Sequence, residues 1–188
     1  VALVGEDWER RTLAKIHEAM PEYASYSLSE FIVMEIIQNR FVHSTNRDRM
    51  YFCIEQMAGM GNLSKGFARH GLRSMRLDKK FSKSCDLASP QGTRNFIVVL
   101  RCLHPMGVVW MGIECSTWVW LCRSRTRRSS EDPEGNRANG KVAEANQVRD
   151  KACVVMLLMT QSKRLYIIEQ PLSSLLNSSL AFAATMTA

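Results

Sequence analysis

No Cys-x-x-Cys pair occurs among the six cysteines, at 53, 85, 102, 115, 122 and 153, and most of them lie in apolar runs where a reduced thiol acts as a small hydrophobe. That spacing offers no zinc site. The four histidines, His17, His43, His70 and His104, make no pair at helical or turn spacing, so metal catalysis has no support either. No apolar run reaches the ~18 residues needed to span a bilayer, and the first residues lack the charged-then-apolar order of a signal peptide. The expectation is an intracellular protein without a membrane partner. Acidic residues are in deficit, 18 Asp and Glu against 25 Lys and Arg. The net charge of +7 permits an anionic partner such as nucleic acid without requiring one.

What is present is ordinary for a folded domain: 46% hydrophobic and 23% charged residues in 188, enough for one well-filled core and too few for two comfortable ones. Residues 6 to 20 set Trp8, Leu13, Ile16 and Met20 at helical spacing, and Pro21 closes that helix. A second helix is expected from the apolar stretch after Ser27 and Ser29 up to Val42. The expected organisation is a helical segment over 1–48 and an α/β domain over 49–188.

From Met50 the period changes. A short apolar run to Ile54 predicts a strand, Gly59 and Gly61 a turn, and NLSKGFARHG a helix ending at Gly71. LRSMRLD, 72 to 78, reads as a second strand, followed by a polar loop that carries Asp86. A helix over 93–103, closed by His104-Pro105-Met106-Gly107, leads to VVWMGIE, 108 to 114, an apolar run expected of a strand buried on both faces. Residues 123 to 140 read as a long loop, the next stretch as a helix, and RLYIIEQ, 164 to 170, as another buried strand. Alternating strands and helices imply a parallel sheet with its binding crevice at the strand C-terminal ends. The polar residues that carry chemistry lie at those ends.

Gly59-x-Gly61 between strand and helix lets backbone approach a ligand, yet Ser64 stands where the dinucleotide fingerprint has its third glycine. Asp78 ends the next strand 17 residues after Gly61, near the ~20-residue spacing at which an acid reaches ribose hydroxyls. A purely structural turn and a solvated acid beside Lys79 and Lys80 are the competing readings.

Taken in order, IEQMAGMGNLSKGF, LD, CDL, GIECSTW and IIEQPLSSLL resemble the S-adenosylmethionine-dependent methyltransferases, and among them the DNA cytosine 5-methyltransferase-like proteins. The resemblance spans about residues 50 to 176. It implies a Rossmann-like class I methyltransferase fold, a three-layer sandwich on a mostly parallel sheet, preceded here by N-terminal helices and with its last strands and target-recognition region missing. It further implies that Glu55, Met57, Ala58, Gly59 and Gly61 form the cofactor turn for S-adenosylmethionine, with Asp78 on the ribose and Asp86 near the adenine. Cys115 matches the nucleophile that attacks carbon 6 of cytosine, and Glu169 the acid that protonates its nitrogen 3. A duplex base would have to leave the stack to reach them. On the DNA reading a nuclear location follows, and Arg123, Arg125, Arg127 and Arg128 would face phosphates.

The departures point the other way. Met57 replaces the family's phenylalanine, Gln170 its asparagine, and Glu114 stands before Cys115 in place of proline. A carboxylate beside the thiol opposes thiolate formation. The alternative is therefore a non-catalytic remnant that binds nucleic acid or a protein partner, with Cys115 a small packed residue and the arginines a solvated loop.

Overall fold

The computed structural model describes residues 6–28, 30–35 and 50–186. The expected extension of the second helix to Val42, the position of His43 and the side chain of Trp8 lie outside the described residues.

Helix α1 (Glu6–Ala19) buries Ile16, and the chain then turns at Pro21 through a single 3-10 turn, Pro21–Tyr23. Strand β1 (Tyr51–Gln56), helix α2 (Asn62–Arg69), strand β2 (Ser74–Leu77), helix α3 (Pro90–Leu100), strand β3 (Leu103–Met111), helix α4 (Gly140–Gln161), strand β4 (Leu165–Ile168) and helix α5 (Leu180–Met186) follow. The strands form one four-stranded sheet, order β2-β1-β3-β4, with every pairing parallel. This is an α/β fold with helices flanking a parallel sheet.

The strand order explains where the helices lie. From β1 the chain moves one way to β2, then doubles back across β1 to β3 and on to β4. Right-handed crossovers therefore put α2 on one face and α3 and α4 on the other. Accordingly, α2 packs on β1 and β2, while α1 packs on α3 and α4. The reversal leaves a topological switch point between β1 and β3, where open α/β sheets bind ligands beyond the strand C-termini.

One hydrophobic core joins the pieces. Ile54, Val109 and Met111 of the sheet meet Phe96 and Ile97 of α3, Met156 and Met159 of α4, and Ile16, Met20 and Phe31 of the N-terminal segment. That segment is also tied by a bidentate ion pair, Arg101 Nη2 to Glu35 Oε1 at 2.6 Å and Nε to Oε2 at 2.9 Å, with the Tyr23 hydroxyl donating to Glu35 at 2.7 Å. Residues 149 to 159 of α4 are buried all round, as expected of a helix wedged between neighbours rather than lying on a surface.

Two strand expectations need correction. β4 is not buried on both faces: it ends the sheet, and Leu165 and Ile167 are 67% and 43% exposed. Beside them Val108 and Trp110 of β3 are only half-buried, since no helix among the described residues covers that face of β3 and β4. The helix expected over 93–103 starts three residues earlier, because the Ser89 hydroxyl accepts from Gly92 N at 3.0 Å and Pro90 sits in the first turn, where its missing N–H costs nothing. It also ends earlier. His104 to Gly107, expected to close it, belong to β3 at a bulge opposite Tyr51 and Cys53.

Candidate functional site

Beyond the C-terminal ends of β1, β2 and β3 lies a cavity of about 580 Å³. Its walls come from the turn after β1 (Gln56, Met57, Gly59), the end of β2 (Asp78 to Lys80), the turn before α3 (Cys85 to Leu87), the loop after β3 (Gly112 to Thr117) and the start of α4 (Lys141 to Val148). It sits at the switch point.

The turn after β1 is built from left-handed residues, with φ of +57° at Met57, +52° at Gly59 and +64° at Gly61. A non-glycine residue in that region marks a constrained position, and such positions cluster at ligand sites. Asp78, 7% exposed, clamps the turn: Oδ2 accepts from Gly59 N at 2.9 Å and Oδ1 from Lys80 N at 2.8 Å. Each oxygen keeps a lone pair for a further donor. Asp86 also lines the cavity, and its Oδ1 accepts from Ala88 N at 3.0 Å.

Of the residues expected to form the cofactor turn, Met57, Gly59, Asp78 and Asp86 line the cavity, whereas Glu55, Ala58 and Gly61 do not. Glu55 points to the other face, where its buried carboxylate accepts from Ser64 N at 2.9 Å. A charge there satisfies an orphan amide of α2 and matches the helix dipole. Ala58 is 9% exposed and donates its N–H to Leu77 O at 3.3 Å. At Gly61 a Cβ would meet Arg76 Cδ at 2.4 Å, so its space is taken by a side chain of β2.

Cys115 and Glu169 stand outside the cavity lining, on two loops that run side by side. Cys115 is half-buried and opens a 3-10 turn, Cys115–Thr117. Glu169 is exposed, and its Oε2 accepts from Trp110 Nε1 at 3.2 Å. The loops are stitched together by Leu175 N donating to Trp118 O at 2.8 Å, by an antiparallel bridge of Val119 with Ser174, and by the Gln170 amide on Ile113 O. Glu114 lines the cavity; it accepts from Ser116 Oγ at 2.7 Å and lies 3.8 Å from Lys79 Nζ.

The arginine run divides. Arg123, Arg125 and Arg127 are exposed, with Arg123 over the Trp120 ring at 3.9 Å. Arg128 is not available to phosphate: it is 1% exposed, lies 3.5 Å over the Trp118 ring, and donates to Asn146 Oδ1 at 2.8 Å and to the carbonyls of Pro133 and Glu134. Burial lowers it to about 10, and Arg149 nearby adds to the fall. The segment expected as an open loop is thus folded back on its own arginine.

Several groups at the site carry no motif. Lys79, Lys80, Lys141 and Glu144 line the rim, and Lys79 is raised mainly by its 3.0 Å hydrogen bond to Glu144. Gln56 and Thr117 line the wall with Oε1 and Oγ1 buried and unpartnered. The available signal for Gln56 was its place beside Glu55 at the C-terminal end of β1, YFCIEQ. Lys151 is hidden in a helix yet 5% exposed, and its ammonium donates to Leu87 O at 2.8 Å and Ala88 O at 2.7 Å, holding the turn that carries Asp86.

Burial, with Lys15 second, lowers Lys151 from 10.5 to about 8 against the opposing pull of Glu18, Asp86 and Asp150. Between those values the unfolded chain holds a proton that the folded chain has lost, so this residue makes stability rise with pH there. Thermal midpoints followed from pH 8 to pH 10.5 should climb more steeply in the native chain than in Lys151→Met. Equal slopes would show that the ammonium is not confined as described.

No protein-family model, curated protein or solved structure matches this chain. No helix among the described residues is long and apolar enough to cross a membrane, and no cluster of His, Cys, Asp and Glu among them could hold a metal ion.

Proposed function

We propose that the crevice binds S-adenosylmethionine, in a class I methyltransferase-like fold, and that the acceptor addressed by Cys115 and Glu169 is cytosine in DNA. The observation that carries the cofactor reading is the position of Glu55. In phosphate-binding strand-turn-helix units a pyrophosphate sits on the helix N-terminus; here a buried carboxylate already occupies Ser64 N. A dinucleotide would bring like charge against it. The cavity lining agrees, with Asp78, Asp86, Glu114 and Glu144 against Lys79, Lys80 and Lys141 in a chain of net charge +7. An uncharged ribose and a cationic sulfonium suit that balance, and the free lone pairs of Asp78 suit a diol.

S-adenosylmethionine would supply an electrophilic methyl group. The Cys115 thiolate would add to carbon 6 of the base while Glu169 delivers a proton to nitrogen 3, which makes carbon 5 nucleophilic. Once carbon 5 carries the methyl group, its proton would pass to water, the carbon–sulfur bond would break to release the thiolate, and nitrogen 3 would return its proton to Glu169. Arg123, Arg125 and Arg127, the exposed members of the arginine run, would meet a backbone phosphate.

Titration calorimetry with S-adenosylhomocysteine tests the cofactor half. Heat of binding, and a midpoint raised by about 5–10 °C at a hundredfold excess over Kd, are expected, with no response to reduced nicotinamide dinucleotide. The reverse pattern would sink the reading. Trapping on a 5-fluorocytosine oligonucleotide should give a covalent adduct that Cys115→Ser abolishes. A chain that binds the cofactor and forms no adduct is the non-catalytic remnant, a reading favoured by Glu114 beside the thiol and by the withdrawal of Arg128 into the core.

A further inference from the structure

The charge of the chain is unevenly placed. Residues 62–83, running through α2 and β2 into the turn beyond, hold seven Lys and Arg against Asp78 alone, and so carry six of the seven net positive charges. All seven cations are exposed. They also share one border of the molecule, because β2 ends the sheet on its side among the described residues. The Ser74 hydroxyl donates to Ser64 O of α2 at 3.0 Å, which turns Ser74, and with it Arg76 two residues on, towards the helix. Lys65 and Arg69, four residues apart, lie on one face of that helix. Arg73 enters β2 with its guanidinium 5.3 Å over the Tyr51 ring, and Lys80 and Lys83 follow the strand.

Nearby acids leave this row charged. No ion pair among the described residues involves Lys65, Arg69, Arg76, Lys80 or Lys83. Glu55, the register partner of Arg76, accepts from Ser64 N, and Asp78 accepts from Gly59 N and Lys80 N. Lys79 differs, being held at the cavity rim by Glu144 and Glu114. Charge on an edge strand can serve to discourage pairing with another chain. That does not account for this row: the opposite edge, β4, reads LYII and carries no charge, and Lys65 and Arg69 stand on a helix.

We propose that the outer border formed by α2, β2 and the turn after it binds the phosphate backbone of a DNA duplex, without reading base sequence. This surface is separate from the crevice and does not rest on the S-adenosylmethionine reading. Each phosphate neutralised by Lys or Arg releases condensed counterions, so a row of exposed cations binds a duplex of any sequence. Single-strand sites stack bases on aromatic rings; here Tyr51 and Phe81 each lie beneath a guanidinium, of Arg73 at 5.3 Å and of Arg76 at 5.4 Å. A membrane-surface helix buries its apolar face in lipid, whereas α2 spends its packing face on β1 and β2.

Fluorescence anisotropy with a labelled duplex of A·T pairs, without cofactor and over about 50 to 200 mM salt, tests the proposal. The probe holds no cytosine, so Cys115 and Glu169 play no part. Log affinity should fall with log salt at a slope of about −4, as some four or five phosphate contacts would give. The triple variant Lys65→Gln, Arg69→Gln, Lys83→Gln should bind about a hundredfold more weakly and lose about 2 to 3 of that slope. The variant Arg123→Gln, Arg125→Gln, Arg127→Gln removes the same charge from the other loop, and should change the slope by less than about 1. Glutamine keeps the helix propensity of α2, so thermal midpoints of both should stay within about 4 °C of native. Equal losses in the two triples would mean that binding follows net charge alone, and would overturn the proposal. So would a native slope near zero, tighter native binding to a single strand of the same length, or tighter native binding to vesicles of phosphatidylserine and phosphatidylcholine; none of these three needs a variant. Every arm is read without cofactor, so failure here leaves the S-adenosylhomocysteine calorimetry to decide the crevice independently.

Discussion

Gly92→Ala should lower stability by about 3 kcal/mol, near the upper end for overpacking, and lower the thermal midpoint by roughly 6–12 °C. The cause is backbone rather than side chain. A Cβ at Gly92 would stand 1.9 Å from Asp86 O, 2.4 Å from Asp86 C and 2.9 Å from Asp86 N, so the first turn of α3 and the Asp86 turn would have to separate. That turn is pinned from behind by Lys151 and from within by Ser89, which leaves it little room to give. The same displacement should weaken S-adenosylhomocysteine binding, since Asp86 is carried on the moved segment. Gly66→Ala is the control. Gly66 lies within α2 with nothing within 4 Å of a Cβ, so alanine should stabilise by about 0.5–1 kcal/mol through helix propensity and a less disordered unfolded chain. Urea unfolding of the two variants checks both signs. Native stability in Gly92→Ala would mean that α3 and the Asp86 turn are not packed as described.

Arg149→Met should be at least as damaging, about 3–5 kcal/mol, because it strands buried charge. Arg149 is 1% exposed and bridges two acids, Asp150 Oδ1 at 2.5 Å and Glu134, whose Oε2 also accepts at 3.2 Å. Asp150 is itself 3% exposed and, among the described residues, keeps the ion pair with Lys15, at 3.5 Å, once the guanidinium is gone. Acid should separate the variant from the native chain. Burial pushes Glu134 up, but the hydrogen bond and charge of Arg149 outweigh it and hold the carboxyl below its ordinary value. A depressed carboxyl contributes stability above its unfolded pKa and loses it as pH falls through the folded one. The native chain should therefore lose this contribution on acidification below the usual glutamate range, whereas Arg149→Met has already lost it at neutral pH. Denaturant midpoints at pH 7 and pH 3 measure the difference; a gap of unchanged size would show that the ion pair carries no net stability.

The periodic signals in the chain reported the elements well where burial and period coincide. β1, α2 and β2 follow from the change of pattern at Met50 and from the terminating Gly71, and α4 lies where a helix was expected after the 123–140 segment. Boundaries failed where capping decided the outcome. Ser89 and Pro90 start α3 within what reads as a polar loop, and nothing in periodicity weighs one hydroxyl on one amide. The burial of β4 was overestimated for a different reason: an apolar run records what a strand could bury, not whether a neighbour arrives to bury it. At the site, the places of Gly59 and Asp78 on the cavity wall were legible because turn chemistry and strand-end acids have local signatures, whereas Asp86, in a polar loop well past β2, was singled out by the family resemblance. Arg128 was not legible, since its environment is set by Trp118 and Asn146, which no local pattern pairs with it. Lys151 was invisible for the same reason, its partners being carbonyls of the Leu87 turn.

The sheet ends on a margin of four residues, LYII, with β3 as its sole strand neighbour among the described residues. Its outer main-chain groups and the oily side chains of Leu165 and Ile167 form a template on which another extended segment can settle. Pro171 follows it closely, so few rungs of a ladder fit before a missing amide stops the zipper. A second strand that settled there would lengthen the parallel sheet from four strands to five.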